Sequence, residues 1–222
     1  MTQQTNFARK LPSFIAVEGP IGVGKTSLTK RLADTFNYEI LLEKSDENPF
    51  LDRFYKNPKQ HALSTQLFFL FQRTAQIQEL RQEDMFEPAR IADFLIDKDQ
   101  LFAQQNLDPD EYELYLNVYE HLTLDAPIPD LVIYLQAPTN VLLERIQKRA
   151  IDAEQLIELS YLENLNDAYT KFFHYYNRTS LLIVNSAEID LVSNDNDYNQ
   201  LVEYIQALPN GTHYFNPKAS LI

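Results

Sequence analysis

The chain of 222 residues contains no cysteine and no tryptophan, and only four of its residues are glycine. Without cysteine it can form no disulfide, no thiolate nucleophile and no thiolate metal site, which favours a cytoplasmic location. Three of the glycines, Gly19, Gly22 and Gly24, lie within six positions, and Gly211 is far from them. The scarcity of glycine therefore directs attention to one short segment.

Positive charge and long apolar runs are also scarce. The chain has 19 lysines and arginines against 32 aspartates and glutamates, a formal net charge of −13. Because contact with nucleic acid polymers needs clustered cations, we expect no such partner. The longest tight apolar run covers residues 67–71, whereas a membrane span needs about 20 residues. We therefore expect no membrane segment, and the polar N-terminal residues predict no secretory signal.

The apolar pattern predicts an α/β fold, because short apolar segments alternate with helical ones. Strands apolar on both faces are typical of a parallel sheet covered by helices on each side. Without an internal linker we expect one domain over residues 13–208, flanked by tails at 1–12 and 209–222. Residues 49–59 look irregular, and capping boxes are predicted to open helices near Asp108 and Ser160. Strands are predicted at 14–17, 38–42, 90–94, 131–135 and 181–184, and helices at 26–36, 62–82, 108–122, 140–149, 160–176 and 197–208.

The clustered glycines belong to a segment that satisfies the pattern G-x-x-x-x-G-K-[ST], between a predicted strand and a predicted helix. In such a loop the backbone N–H groups can turn toward phosphate, and the following helix N-terminus adds partial positive charge. The lysine would bridge the terminal phosphates of ATP, and the threonine hydroxyl would bind Mg²⁺. The predicted ATP-binding residues are Gly19, Pro20, Ile21, Gly22, Val23, Gly24, Lys25 and Thr26.

The shortage of glycine also narrows the class of nucleotide-binding protein. A GTPase switch of the D-x-x-G type needs a glycine outside the loop, with an aspartate three residues before it. Gly211 lies outside the loop, but the residue three positions before it is Leu208, so this type of switch is excluded. A glycine-rich signature of the transporter type is equally excluded. The fourth predicted strand, 131–135, is followed by Gln136 and not by the acid that is typical of a motor ATPase. These observations favour a kinase with a small acceptor over a switch or a motor.

Four segments together are typical of one family: FIAVEGPIGVGKT at 14–26, Leu42-Glu43, ENPFL at 47–51 and Phe54-Tyr55. With them the sequence resembles the deoxyribonucleoside kinases, in particular the bacterial branch related to deoxyadenosine and deoxyguanosine kinases. The resemblance covers about residues 13–205 and implies a P-loop fold of three α/β/α layers, with a five-stranded parallel sheet and a lid at about 145–158. It also implies ATP-dependent phosphorylation of a deoxyribonucleoside 5′-hydroxyl, with purine acceptors favoured.

Candidate residues for the acceptor follow the second predicted strand and lie on the long predicted helix. Glu43 would project beside the phosphate loop, where a carboxylate can take the proton of an attacking hydroxyl. Gln66 and Arg73 are seven residues apart, two helical turns, and so share one face. The resemblance implies that Glu43 is the base, that Gln66 pairs with the nucleobase edge near Arg73, and that Tyr55 touches the sugar 3′-hydroxyl. Phe68, Phe69 and Phe71 are typical core residues, although one could stack on the nucleobase.

The resemblance also assigns a lid and an acidic residue near the metal. Arg145 and Arg149 would stabilise the charge of the triphosphate, and Glu154 would reach the sugar. Asp93 would keep an acidic role by holding Mg²⁺ through water. The acidic segment 190–197 could touch the donor base or be a solvated turn.

The sequence departs from these relatives at two motifs. Where many relatives have Glu-Arg-Ser, residues 92–95 read Ala-Asp-Phe-Leu, so an arginine near Glu43 is missing. The lid reads Arg149-Ala150-Ile151 instead of Arg-Gly-Arg, and Lys148 or Lys44 could compensate. Relatives have, further along the chain, an acid that helps to read the nucleobase. Which of Asp97, Lys98 and Asp99 meets the nucleobase here is left open.

Three further hypotheses concern assembly and function. The resemblance implies a homodimer joined through the long helices, although the apolar faces at 62–82 and 108–122 could equally be core. A nucleoside monophosphate kinase of the thymidylate type is an alternative, but it would need cations for the acceptor phosphate. A non-catalytic nucleotide-binding protein is a second alternative, suggested by the missing lid arginine.

Overall fold

The computed structural model describes residues 11–83 and 88–216. Two short 3₁₀ helices lie at Ser45–Glu47 and Asp152–Leu156. In chain order the strands and α-helices are β1 (Phe14–Glu18), α1 (Lys25–Phe36), β2 (Glu39–Leu41), α2 (Leu51–Lys56), α3 (Pro58–Glu83), β3 (Arg90–Ala92), α4 (Lys98–Asn106), α5 (Pro109–Thr123), β4 (Leu131–Gln136), α6 (Thr139–Arg149), α7 (Leu159–His174), β5 (Ser180–Asn185), α8 (Asp195–Ala207) and β6 (Thr212–Phe215).

The strands form one parallel sheet in the order β2-β3-β1-β4-β5-β6. The residues that follow β2, β3 and β1 therefore emerge side by side at the carboxyl edge, which is where ligands bind in such sheets. Glu43 follows β2, Asp93 follows β3 and the glycine loop follows β1. The topology thus brings together three segments that are distant in the sequence.

Successive side chains of the strands point to opposite faces, so each central strand contributes to two cores. On one face Ile15 and Val17 pack in the cluster that contains residues of α1, α6 and α8. On the other face Ala16 belongs to a cluster with α7, and Ala92 to one with α3 and α5. Helices cover both faces of the sheet, whose strands β1, β4 and β5 are almost wholly buried. This arrangement of three layers confirms the predicted α/β class.

The predicted count of five strands is wrong, because residues 212–215 form β6. They were expected in a tail, but the strand pairs with β5 in parallel, and Phe215 packs into the core, 6% exposed. Residues 1–10 and 217–222 of the predicted tails lie outside the described residues.

Two helices were not predicted, and of the two predicted capping boxes one is confirmed and the other is wrong. The region expected to be irregular contains α2, and α4 was not expected at all. At Asp108 the reciprocal capping hydrogen bonds with Glu111 are present, with proline in the first turn. At α7 the N-cap is Glu158, and it makes no side-chain capping bond, so the box predicted at Ser160 does not form. Within the described part of the chain, no helix is both long and apolar enough to cross a membrane.

Candidate active site

The loop between β1 and α1 has the backbone shape of a phosphate cradle. Gly22 has a φ of +83°, and a Cβ there would lie 2.9 Å from the carbonyl oxygen of Leu142. At Gly19 a Cβ would lie 2.3 Å from the carbonyl oxygen of Leu135, so neither position accepts a side chain. The loop leads directly into α1, whose N-terminal N–H groups favour an anion.

Lys25 and Thr26 begin α1 and face the centre of this site. The ammonium group of Lys25 donates to the carbonyl oxygens of Gly19 at 2.7 Å and Pro20 at 3.3 Å. Burial, followed by the nearby charge of Lys98, lowers the pKa of Lys25 to about 8. Thr26 Oγ1 donates to Asp93 Oδ2 at 2.6 Å, so a hydroxyl and a carboxylate oxygen are adjacent beside the loop.

Asp93 also connects the loop to Glu43. Its Oδ1 accepts a hydrogen bond of 2.6 Å from the backbone N–H of Glu43, which fixes the start of the segment after β2. Asp93 is 2% exposed, and burial raises the pKa of its carboxyl group. Asp93 thus holds both Thr26 and the predicted general base in place.

The carboxylate of Glu43 is held by two cations from different helices. Arg73 of α3 forms an ion pair with Oε1, and Lys98 of α4 lies 3.4 Å from Oε2. The other side of the Arg73 guanidinium forms an ion pair with Asp99, which is 1% exposed. Burial raises the pKa of Asp99 to about 6, an effect that Arg73 opposes. Of the three neighbours left open, Asp99 therefore contacts Arg73, Lys98 contacts Glu43, and Asp97 pairs with Arg178.

A cavity opens next to this cluster and extends toward α2 and α3. Gln66 is 4% exposed, and it borders the cavity together with Arg73, which lies 4.9 Å from the ring centroid of Phe69. Phe71 is 52% exposed, so the expectation that it belongs to the core is wrong. The lining residues are Ile21, Gly22, Lys25, Thr26, Glu43, Ser45, Leu51, Phe54, Tyr55, Thr65, Gln66, Phe69, Arg73, Asp93, Lys98, Phe102, Arg149, Glu154 and Tyr161.

The predicted lid residues separate into two groups. Arg149 and Glu154 form a direct ion pair at the cavity, near Tyr55, whose pKa is raised by burial. Ala150 ends α6 with a φ of +53°, the left-handed conformation that usually selects glycine. The glycine expected from the resemblance is thus absent, but the turn that it would make is present.

Arg145, by contrast, lies outside this cavity. Its guanidinium donates to the carbonyl oxygens of Val23 at 3.2 Å and Ser186 at 2.7 Å. It borders a second cavity together with Lys148 and residues 186–194, on the other side of the phosphate loop. Lys44 is half exposed and pairs with Glu47 at 3.4 Å.

Sequence reasoning missed the role of Glu18 and the placement of Lys98. Glu18 is completely buried, and it accepts hydrogen bonds from Gly19 N, Leu95 N and the hydroxyl of Tyr169. An acid directly before the glycine loop was the available signal for Glu18. Lys98 was among the candidates for the nucleobase, but no signal indicated its pairing with Glu18 and Glu43, because a lysine at the start of an unrecognised helix resembles a solvated residue.

Known proteins with similar sequences and folds show which family the chain belongs to. The family model described as "Deoxynucleoside kinase" matches residues 15–209. A deoxyguanosine kinase of Bacillus subtilis (strain 168) is 35% identical, and the aligned region covers 88% of this chain and 97% of the relative. A deoxyadenosine kinase of Lactobacillus acidophilus is 31% identical, and the aligned region covers 86% of this chain and 94% of the relative.

Among solved structures, a deoxyadenosine kinase from M. mycoides with bound dATP is 26% identical and has a TM-score of 0.75. The similarity covers 86% of this chain and 98% of that one. The family match spans the strands from β1 to β5, the glycine loop and the residues that line the cavity, and it ends before β6. This chain therefore belongs to the deoxynucleoside kinase family and is a phosphotransferase that acts on deoxynucleosides.

Proposed function

We propose that Glu43 is the general base of this kinase, and that the acceptor is the 5′-hydroxyl of a purine deoxyribonucleoside. One observation carries the assignment of the base: Glu43 and Lys25 line the same cavity. An alcohol bound there would meet the base on one side and the phosphate loop on the other. The names of the relatives, deoxyguanosine and deoxyadenosine kinase, support the purine class.

In the proposed reaction, Glu43 takes the proton of the 5′-hydroxyl as its oxygen bonds to the γ-phosphorus of ATP. The bond between the γ-phosphorus and the β,γ-bridging oxygen breaks, and ADP leaves. Lys25 stabilises the charge on the phosphate oxygens, and a positioned base contributes about 10²- to 10⁴-fold to such reactions. Arg149 lies at the cavity mouth and can turn from Glu154 toward the phosphates, while Arg145 is assigned to the donor side.

Thr26 and Asp93 fit a Mg²⁺ ion, because the ion takes hard oxygen ligands and completes its shell with water and substrate phosphates. Their side-chain oxygens are 2.6 Å apart beside the phosphate loop. When bound, Mg²⁺ supplies positive charge to the phosphate oxygens. A magnesium titration of the transfer rate tests this assignment.

For the acceptor, we assign the nucleobase to Gln66, with Arg73 beside it, and the sugar to Tyr55 and Glu154. Buried amides need hydrogen-bond partners, and the amide of Gln66 borders the cavity, where a base edge can satisfy it. Tyr55 and Glu154 border the same cavity at its lid side. Asp99 acts on the nucleobase through Arg73.

The charges of the cavity argue against a monophosphate acceptor. A second phosphate would need free cations, but Arg73 and Lys98 are each shared between two carboxylates. The carboxylate of Glu43 would in addition repel an acceptor phosphate. A neutral alcohol fits this distribution of charge better than a nucleotide does.

The direct test is phosphoryl transfer from ATP to each of the four deoxynucleosides, with dTMP and dAMP as comparison acceptors. We expect turnover with the purine deoxynucleosides and none above background with the monophosphates. Binding of ATP without transfer to any acceptor would overturn the proposal in favour of a non-catalytic nucleotide-binding protein.

We also propose a homodimer and a cytoplasmic location, where ATP is available as donor. Leu70 of α3 and Tyr115 of α5 are core, whereas Phe71 of α3 and Leu114 of α5 are each 52% exposed and leave apolar surface on the long helices for such a contact. A groove between α4 and α7 offers an alternative contact, since Phe172 and Tyr175 border it and Tyr175 is 72% exposed. Sedimentation of the purified chain tests the dimer, and cell fractionation tests the location.

A further inference from the structure

Lys98 is a buried cation at the centre of the cluster of charged side chains. Its side chain is 3% exposed, and its Nζ lies 3.4 Å from Glu43 Oε2 and 3.6 Å from Glu18 Oε2. A buried ammonium group is costly unless it is paired, and burial lowers the pKa of Lys98, an effect that Glu18 opposes. The group also lines the cavity that contains Lys25.

Glu18 provides a rigid anchor for this lysine. One carboxylate oxygen accepts from Gly19 N at 2.8 Å and from the Tyr169 hydroxyl at 3.0 Å. The other accepts from Leu95 N at 2.8 Å, and the carbonyl of Leu95 in turn accepts from Lys98 N at 3.0 Å. The first residue of α4 is therefore held through its backbone and its side chain by the acid that precedes the phosphate loop.

We propose that Lys98 is a positioning residue that fixes the carboxylate of Glu43 for proton transfer. Arg73 holds Oε1 and Lys98 holds Oε2, so rotation of the carboxylate is restrained from both sides. Each carboxylate oxygen has two lone pairs, so one remains for the 5′-hydroxyl. Through Glu18, the same lysine links the position of the general base to that of Gly19, the first residue of the phosphate loop. This role rests on the proposed function of Glu43.

The test replaces Lys98 by methionine, by glutamine and by arginine. If Lys98 acts through Glu43, Lys98→Met and Lys98→Gln should each lower kcat by roughly 10- to 100-fold, with KM for ATP little changed. Lys98→Arg keeps the charge and should recover most of kcat. Glutamine can still form hydrogen bonds, so Lys98→Gln provides the test if Lys98→Met does not fold. Lys30→Met, on the exposed face of α1, is the matched control.

A double-mutant cycle with Glu43→Gln separates positioning from a structural role. When the base is already absent, loss of Lys98 should cause little further fall in kcat. Multiplicative effects of the two changes would overturn the proposal, as would wild-type kcat in Lys98→Gln. If the unmodified enzyme itself transfers no phosphate, the proposed function fails instead, so the two failures are distinguishable.

Discussion

Arg73 of α3 forms an ion pair with Glu43, which follows β2, directly beside the acceptor cavity. The same guanidinium contacts Asp99, so one side chain joins the segment that carries the proposed base to α4. A substrate that binds against Arg73 therefore also contacts the group that orients the proposed base. This connection explains how recognition of the acceptor can be coupled to the chemical step.

Replacement of Glu43 by glutamine tests the assignment of the base. The amide is nearly the same size but cannot accept the proton, so kcat should fall by about 10²-fold or more. ATP affinity, measured by calorimetry, should stay near that of the unmodified enzyme, because Glu43 is assigned to the acceptor. Glu39→Gln, on the exposed part of β2, is the control, and unchanged turnover in Glu43→Gln would remove it from the role of base.

Gln66→Leu tests recognition of the nucleobase. The substitution leaves the polar edge of a bound base without its partner, so KM for purine deoxynucleosides should rise by roughly 10-fold or more. KM for ATP should not change, since Gln66 lies on the acceptor side. The same substitution at Gln78, which is exposed on the same helix, should have no effect on either KM. Equal KM values in Gln66→Leu and the unmodified enzyme would contradict the assignment.

The lowered pKa of Lys25 predicts weaker ATP binding in alkaline solution. Below its pKa of about 8 the side chain is charged and attracts phosphate, and above that value the neutral form predominates. ATP affinity measured by calorimetry should therefore fall by up to about tenfold for each pH unit above 8. In Lys25→Met this alkaline decline should be absent. An affinity that stays constant to pH 10 in the unmodified enzyme would refute the prediction.

The parts of the site that could be predicted from the sequence are those with local signals. The glycine loop has a fixed spacing, and the pair Gln66 and Arg73 follows from helical periodicity. The pairings of Arg73 with Asp99 and of Lys98 with Glu18 could not be predicted. They join segments far apart in the chain, and they bury charges that a sequence pattern assigns to solvent.

In the fold, too, the elements with a local sequence signal were predicted, and those that depend on long-range pairing were not. The central strands are apolar on both faces and were predicted, whereas the sequence of β6 (Thr-His-Tyr-Phe) is mostly polar or aromatic. Only the pairing with β5 identifies it as a strand. The turn at Ala150 is similarly set by its surroundings, because alanine does not by itself favour a positive φ.

Ala150→Gly should stabilise the protein. A left-handed conformation costs a residue with a Cβ about 1–2 kcal/mol, and glycine avoids most of that cost. We expect the free energy of unfolding in urea to rise by about 1 kcal/mol. Ala168→Gly, within α7, should have the opposite effect of about 1 kcal/mol, because glycine weakens a helix interior. A fall in stability for Ala150→Gly would show that its backbone is not strained.

Phe215→Ala tests whether β6 belongs to the folded domain. Phe215 is 6% exposed and packs in the cluster of α1, α6 and α8, so its loss should cost about 3 kcal/mol of unfolding free energy. Its neighbour Tyr214 is 70% exposed, and Tyr214→Ala should change stability by less than about 0.5 kcal/mol. If both substitutions have equally small effects, residues 212–215 behave as a tail. A large difference between the two requires the alternating burial that a paired strand imposes.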